Sequence, residues 1–311
     1  MNKKHNFGFG KCLVILIAIL LTSALFIGCG GDDADGPTIT VASKPWTEQM
    51  ILGNMLLDLF EYHGYPVEDR IGLGESDVIR PAIYSDEVDI YWEYTGTTLT
   101  TMMEHEAVGD PDEAYQLVKE WDQEENNLVW LEYSEANNAY VLLMREDDAD
   151  EKGIVTISDL ADYINDNPGE LVLGCNEVFY EREDGVQGLE ETYGFEFADD
   201  NITFLSTGLY YDALRQGEVD VAEGFGTDGR IPAFDLVIIE DNKEFFPVYN
   251  PAPVVRQEIL DAYPELEETI NELTRLLDHD TLTELNEEVD IEELEPEEVA
   301  ETFLRDNGLI D

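Results

Sequence analysis

The chain has 311 residues, 16 basic against 72 acidic side chains, a formal net charge of -56 and 43% apolar residues. That charge argues against nucleic acid as a partner, because the basic footprint is missing, and the apolar residues, spread in periodic blocks, argue against a disordered acidic polymer. A carboxylate density this high suits a protein of brine, where at molar salt the Debye length falls to about 3 Å and self-repulsion is screened.

At the N-terminus, Lys3, Lys4 and Lys11 precede an apolar run from Leu13 to Ile27, followed by Gly28-Cys29. This is the pattern of an export signal over residues 1–28 ending in a lipobox, with Phe26 where Leu is usual. The run is short for a retained anchor helix, which needs about 20 apolar residues. Processing would make Cys29 the lipidated N-terminus of an acidic tether, 29–37, on the outer face of the cytoplasmic membrane, and leave 13 basic side chains. Cys12 leaves with the signal, so Cys175 has no partner and no disulfide framework supports the fold. The 274 residues after the tether are enough for two lobes with separate cores.

Residues 39–43 alternate like a first strand, and Thr47 is placed to cap a helix from 48 to about 63, stopped by Gly64. A strand follows at 87–92, an acidic helix at 111–125 and a strand at 129–131. Beyond them come a strand at 140–144, a helix near 158–165, a strand at 171–175 ending in Cys175 as a small buried hydrophobe, a strand near 219 and another at 235–239. Residues 245–255, rich in Pro and aromatics, read as a returning connection, and helices start at Pro264 and Pro296. Strands alternating with helices predict an α/β architecture with largely parallel sheets. The order predicts one lobe from 38–138 plus 246–311 and a second, 139–245, inserted into it. Tyr140 and Tyr249 then sit at the two chain crossings, at the floor of an interlobe cleft of the kind ligands favour.

Two segments 131 residues apart repeat one device: Glu87-Val88-Asp89-Ile90-Tyr91-Trp92-Glu93-Tyr94 and Glu218-Val219-Asp220-Val221-Ala222-Glu223-Gly224-Phe225. Each follows a short helical stretch and ends in an aromatic beside Gly and Thr, where an α/β lobe presents side chains at the carboxyl ends of its strands.

Catalytic patterns are missing. His63, His105 and His279 form no HExxH or zinc spacing, and no nucleophile elbow or complete phosphate loop is present, so neither metal nor cofactor is expected. Among 72 carboxylates a chance glycosidase-like pair is nearly certain, so acids alone identify no catalyst. The acidic run 287–298 reads as solvated helix face. The scarce basic residues say more. Lys44 follows the first strand beside a helix N-terminus, and Arg182 lies in a loop after the strand at 171, so the two are candidates for meeting one anionic group from opposite lobes. With Tyr94, Tyr140, Phe225 and Tyr249 they describe a pocket for a zwitterion.

Ser43-Lys44-Pro45-Trp46-Thr47-Glu48-Gln49, Glu93-Tyr94-Thr95-Gly96-Thr97, Gly226-Thr227-Asp228-Gly229-Arg230 and Phe246-Pro247-Val248-Tyr249 together resemble motifs of the substrate-binding proteins of ABC importers for glycine betaine, choline and related quaternary amines. The resemblance runs from about Ile39 to Gly308-Leu309-Ile310 and implies a two-lobed type II periplasmic-binding fold, hinged around an interlobe ligand cleft. It implies a cage of Tyr94, Tyr140, Phe225 and Tyr249 for the trimethylammonium group, carboxylate contacts from Lys44, Thr97 and Arg182, and Asn138 near the cage rim. Phe225 stands where the family pattern has Tyr, and Asn138 where some relatives have an acid. The expected role is capture of glycine betaine or a close compatible solute for an ABC permease, by a monomer on a lipid anchor. The alternatives are a choline- or carnitine-preferring binder and, from another class, a cleft hydrolase.

Overall fold

The computed structural model describes residues 36–181, 185–206 and 208–311. The expected export signal over 1–28, the expected lipidation site Cys29 and the candidate Arg182 lie outside the described residues.

Among the described residues ten strands form two five-stranded sheets. The first contains β1 (Ile39–Ala42), β2 (Val67–Arg70), β3 (Ile90–Tyr94), β4 (Leu128–Trp130) and β10 (Pro251–Arg256), in the order β2-β1-β3-β10-β4. The second contains β5 (Tyr140–Arg145), β6 (Leu173–Cys175), β7 (Ile202–Phe204), β8 (Val221–Phe225) and β9 (Leu236–Ile239), in the order β7-β6-β8-β5-β9. Each sheet has its own layers of helix and its own buried clusters. In chain order the helices of the first half are α1 (Thr47–Tyr62), α2 (Ser76–Tyr84), α3 (Thr95–Thr97, running into a π-helical turn Thr98–Met102), α4 (Pro111–Glu125), α5 (Glu146–Lys152) and α6 (Ile157–Asp166). They continue as α7 (Glu177–Glu181), α8 (Val186–Tyr193), α9 (Leu209–Gln216), α10 (Arg230–Ala233), α11 (Gln257–Ala262), α12 (Leu266–Thr274), α13 (His279–Asp290) and α14 (Pro296–Asp306).

The apolar face expected on α1 is buried as Ile51, Leu52, Met55, Leu56, Leu59 and Phe60, and carries one core together with α12 to α14. Thr47 is not its cap. Trp46 holds the extended N-cap position, and the Thr47 hydroxyl instead donates to Asp290 at 2.6 Å. The helix at 111–125 starts as its sequence asks, with Asp110 accepting from the Glu113 N–H at 2.8 Å and Pro111 in the first turn.

The sheets are mixed rather than largely parallel: β1 runs parallel to β2 and β3, while β10 is antiparallel to β3 and β4. The second sheet repeats this, with β6 parallel to β7 and β8, and β5 antiparallel to β8 and β9. The segment read as a returning connection is thus partly a central strand, β10, despite Pro251 and Pro253. Prolines avoid central strands because they lack a donor. Here the carbonyls of Pro251 and Pro253 accept from Ser134 and Leu131, so both residues face the loop beyond the end of β4, where no ladder bond is lost.

The repeated segments land on β3 and β8, the middle strand of each sheet. Each strand begins later than expected because Glu-Val-Asp is a clasp before it. Asp89 accepts from the Thr40 N–H at 2.8 Å, donates its own N–H to the Thr40 carbonyl at 2.9 Å and pairs with Arg256 at 2.9 Å. Asp220 accepts from Val172 at 3.0 Å, donates back at 2.8 Å and pairs with Arg145 at 3.2 Å. Arg256 and Arg145 are the last residues of the antiparallel partners β10 and β5, so one device fastens three strands in each lobe.

Candidate functional site

Where the chain passes between the sheets, the N–H of Asn138 donates to the Tyr249 carbonyl at 3.1 Å and the N–H of Tyr249 donates to Asn137 Oδ1 at 2.8 Å. In front of these crossings opens a cleft of about 640 Å³. Its wall includes Tyr94, Tyr140, Phe225 and Tyr249, together with Thr97 and Asn138. Tyr94 ends β3 and Phe225 ends β8; Tyr140 starts β5 directly across from Phe225, with their rings 5.0 Å apart and tilted by 37°. Tyr249 precedes β10 and lies over Gly96, where a Cβ would come within 2.6 Å of the Val248 carbonyl oxygen and 2.9 Å of the Tyr249 ring. Only a glycine lets the turn after β3 reach the ring that closely.

Further wall residues were absent from the sequence-derived set: Trp46, Glu48, Thr101, Thr227, Asp228, Arg230, Asn286 and Asp290. Trp46, Glu48, Thr227, Asp228 and Arg230 lie within the quoted motifs, which was a usable signal. Asn286 and Asp290 had none, since they come from α13, at the edge of the run read as solvated. Its exposed positions fit that reading, Asp290 among them, yet Asp290 also lines the cleft, where desolvation raises its carboxyl above the usual range despite the Thr47 hydrogen bond.

Glu48, in the first turn of α1, is 3% exposed. One of its oxygens accepts from the Tyr94 hydroxyl at 2.5 Å and from Asn138 Nδ2 at 3.1 Å; the other accepts from the Thr227 hydroxyl at 2.5 Å and from Asn286 Nδ2 at 3.1 Å. Burial first, and then the charge of Glu48, push the Tyr94 phenol well above its ordinary pKa, so it remains a donor.

Lys44 is not on the cleft wall. It is 1% exposed and ion-paired with the fully buried Glu93, whose carboxylate also takes the Tyr94 N–H at 2.8 Å and the Ser76 hydroxyl at 3.1 Å. Its ammonium lies 5.1 Å from the Tyr94 ring centroid and 5.3 Å from that of Trp46, behind the cage. A lysine beside a strand end is thus engaged by a buried carboxylate in this structure. Among the described wall residues the basic side chain is Arg230. It bonds Asp228 through Nε at 2.8 Å and through a terminal nitrogen at 2.5 Å, and lies 4.1 Å over the Tyr211 ring. Burial alone would lower its pKa, but the hydrogen bonds and charge of Asp228 override this and hold it above the usual range.

Glu223, on β8, is the buried carboxylate of the other lobe. Asn176, just past β6, gives it a backbone N–H at 3.2 Å and an amide N–H at 2.6 Å, and among the described residues no cation pairs with it. Burial raises its pKa to about 8. Cys175 is fully buried nearby, its thiol pushed up to about 12 by burial and then by Glu223, which leaves it protonated and inert. Among the described residues no His, Cys, Asp and Glu group is arranged to hold a metal ion, and no helix is long and apolar enough to cross a membrane.

Two α/β lobes, each with a mixed sheet, joined by two crossings and opening on a cleft between them, define a ligand-binding protein of the type II periplasmic class. Residues 37–306 match the family described as the substrate binding domain of the ABC-type glycine betaine transport system, and the chain belongs to that family. It is 36% identical over 300 residues to a glycine-betaine-binding protein of Pseudomonas aeruginosa, covering 94% of this chain and 96% of the relative. It is also 36% identical to the carnitine transport binding protein OpuCC of Listeria monocytogenes, covering 96% and 97%. The solved structure of apo YehZ from Escherichia coli superposes with a TM-score of 0.77 at 34% identity, covering 88% of this chain and 99% of that one. The chain is accordingly a substrate-binding protein of an ABC transporter.

Proposed function

We propose that the cleft captures a quaternary-ammonium osmoprotectant, glycine betaine first, and delivers it to an ABC permease. The observation that carries this reading is the convergence of Tyr94, Tyr140, Phe225 and Tyr249, from both lobes, on one cleft. A trimethylammonium group has no N–H to donate, so hydrogen bonds cannot recognise it; aromatic faces attract its spread charge by about 0.5 to 2 kcal/mol each. For the carboxylate end, Thr97 and Arg230 lie on the wall, and Arg182 joins them as an expectation from the sequence. Lys44 is left out because Glu93 occupies it. In this reading 38–138 plus 246–311 and 139–245 move as two lobes about the crossings, as a monomer. An export signal over 1–28, a lipid on Cys29 and a working place in brine complete the proposal, supported by the sequence pattern and the charge.

One observation favours a second reading. The described wall carries Glu48, Asp228 and Asp290 against Arg230, a balance that suits a net cation such as choline better than a zwitterion. Calorimetric titration of residues 30–311 with glycine betaine and then choline, in molar salt, separates the two. Micromolar betaine affinity with weak choline binding supports the first reading, the reverse order the second. Silence with both ligands in folded protein overturns the quaternary-amine assignment.

A further inference from the structure

We propose that Glu48 is a positioning residue for the ligand's cationic head: its buried carboxylate holds the Tyr94 phenol and places a negative charge behind the cage. This inference rests on the quaternary-ammonium reading above.

The carboxylate is buried, borders the cleft and receives four hydrogen bonds, but has no ion-pair partner among the described residues. The other deeply buried carboxylates of this lobe are each matched by a cation: Glu93 by Lys44, Asp122 by Arg80 and Asp89 by Arg256. A buried charge that is hydrogen-bonded but not paired costs folding free energy unless something offsets it. A ligand cation in the cleft would do so, and in a water-poor site the attraction is stronger than in bulk water. The phenol adds a second route. A Tyr hydroxyl that donates to a carboxylate carries more electron density in its ring, which strengthens attraction of a cation to the ring face. Phe225 has no hydroxyl to be held this way, so this effect acts at Tyr94 and not at the matching strand end of the other lobe.

The same carboxylate reaches across the cleft. Thr227 lies in the loop that follows β8 of the second lobe, and its carbonyl accepts from Asn286 Nδ2 at 2.8 Å. At Gly229 a Cβ would fall 2.3 Å from the Glu287 backbone nitrogen, so the loop seats directly on α13. Glu48 therefore joins the cage ring of one lobe to the loop of the other, and the geometry that aligns Tyr94 is present when that loop is seated.

The test compares choline with its neutral carbon isostere, in which carbon replaces the quaternary nitrogen, on wild type, Glu48→Gln and Tyr94→Phe, with thermal unfolding as the check of folding. Wild type is expected to prefer choline by at least about tenfold. Glu48→Gln keeps shape and hydrogen-bonding length but removes the charge, and should cut that preference by about tenfold while leaving isostere binding within about threefold. Tyr94→Phe keeps the ring and removes the held hydroxyl, and should cut the preference by about threefold. A wild type that neither prefers choline nor binds glycine betaine refutes the quaternary-ammonium reading itself, and one that binds betaine without preferring choline overturns the role of Glu48. A wild type that prefers choline, with the full preference kept in Glu48→Gln, or with equal loss of both probes, overturns the role of Glu48 and leaves that reading intact. If Glu48→Gln does not fold, Tyr94→Phe decides: an unchanged preference overturns the proposal.

Discussion

Asp89 and Asp220 fasten the starts of β3 and β8 in the same way, each bridging the neighbouring parallel strand and pairing with the arginine that ends the antiparallel partner. At the opposite ends of these strands the lobes diverge. The buried Glu93 of the first lobe is matched by Lys44, whereas the buried Glu223 of the second is met by the amide and backbone of Asn176 and, among the described residues, by no cation. The aromatic that follows is Tyr94, hydrogen-bonded to Glu48, in one lobe and Phe225 in the other. The shared end is scaffold, fixed by what three strands need to stay in register; the divergent end faces the cleft, where the lobes do different work.

The largest expected effect lies at Lys44. If it serves Glu93 rather than a ligand, Lys44→Met leaves a buried carboxylate without its cation and costs about 3 to 5 kcal/mol of stability in chemical denaturation. Adding Glu93→Leu should recover much of that loss, and a Lys44→Met protein of wild-type stability would break the comparison from this side.

Glu223 makes the complementary claim. Its folded-state pKa of about 8 lies above its ordinary value of 4.5, so the fold keeps this proton more tightly than the unfolded chain does. The associated stability is present below 4.5 and is lost as pH rises through about 8. Glu223→Gln, which cannot ionise, should match wild type in acid and exceed it in alkali, by on the order of 2 kcal/mol. Melting temperatures across that range check the sign; a variant less stable than wild type in alkali would mean the carboxylate is a wanted charge.

The cage aromatics come next. Tyr94→Ala and Tyr249→Ala should each weaken binding at least about tenfold, or about 1.4 kcal/mol, and Gly96→Ala should do the same by pushing on the Tyr249 ring without removing any aromatic face. Unchanged titration curves for both tyrosine variants would remove the cage. The smallest change is Phe225→Tyr, which makes the two strand ends alike; one added hydroxyl should alter affinity by no more than about 1 kcal/mol.

Much of this was legible in the sequence for identifiable reasons. The acidic stretch Pro111–Glu125 was read as a helix with the bounds it has, and the repeated Glu-Val-Asp segments announced both central strands. The four aromatics were named from their motifs. What escaped depends on contacts between distant segments. The strand β10 was hidden by prolines whose missing donors face a loop, a fact of register that no local rule contains. Lys44 looked available because its partner lies 49 residues away, and the place of Asn286 and Asp290 on the wall was hidden because the cleft they line is completed by α1 and the loop after β8.

The central claim is that one cage of aromatics from both lobes holds a trimethylammonium group. A crystal structure of residues 30–311 grown with glycine betaine tests it most directly. The account predicts the ligand nitrogen within about 6 Å of the ring centroids of Tyr94, Tyr140, Phe225 and Tyr249, with the carboxylate turned away from Glu48. A betaine bound elsewhere, or seated with its carboxylate among the four rings, would contradict it.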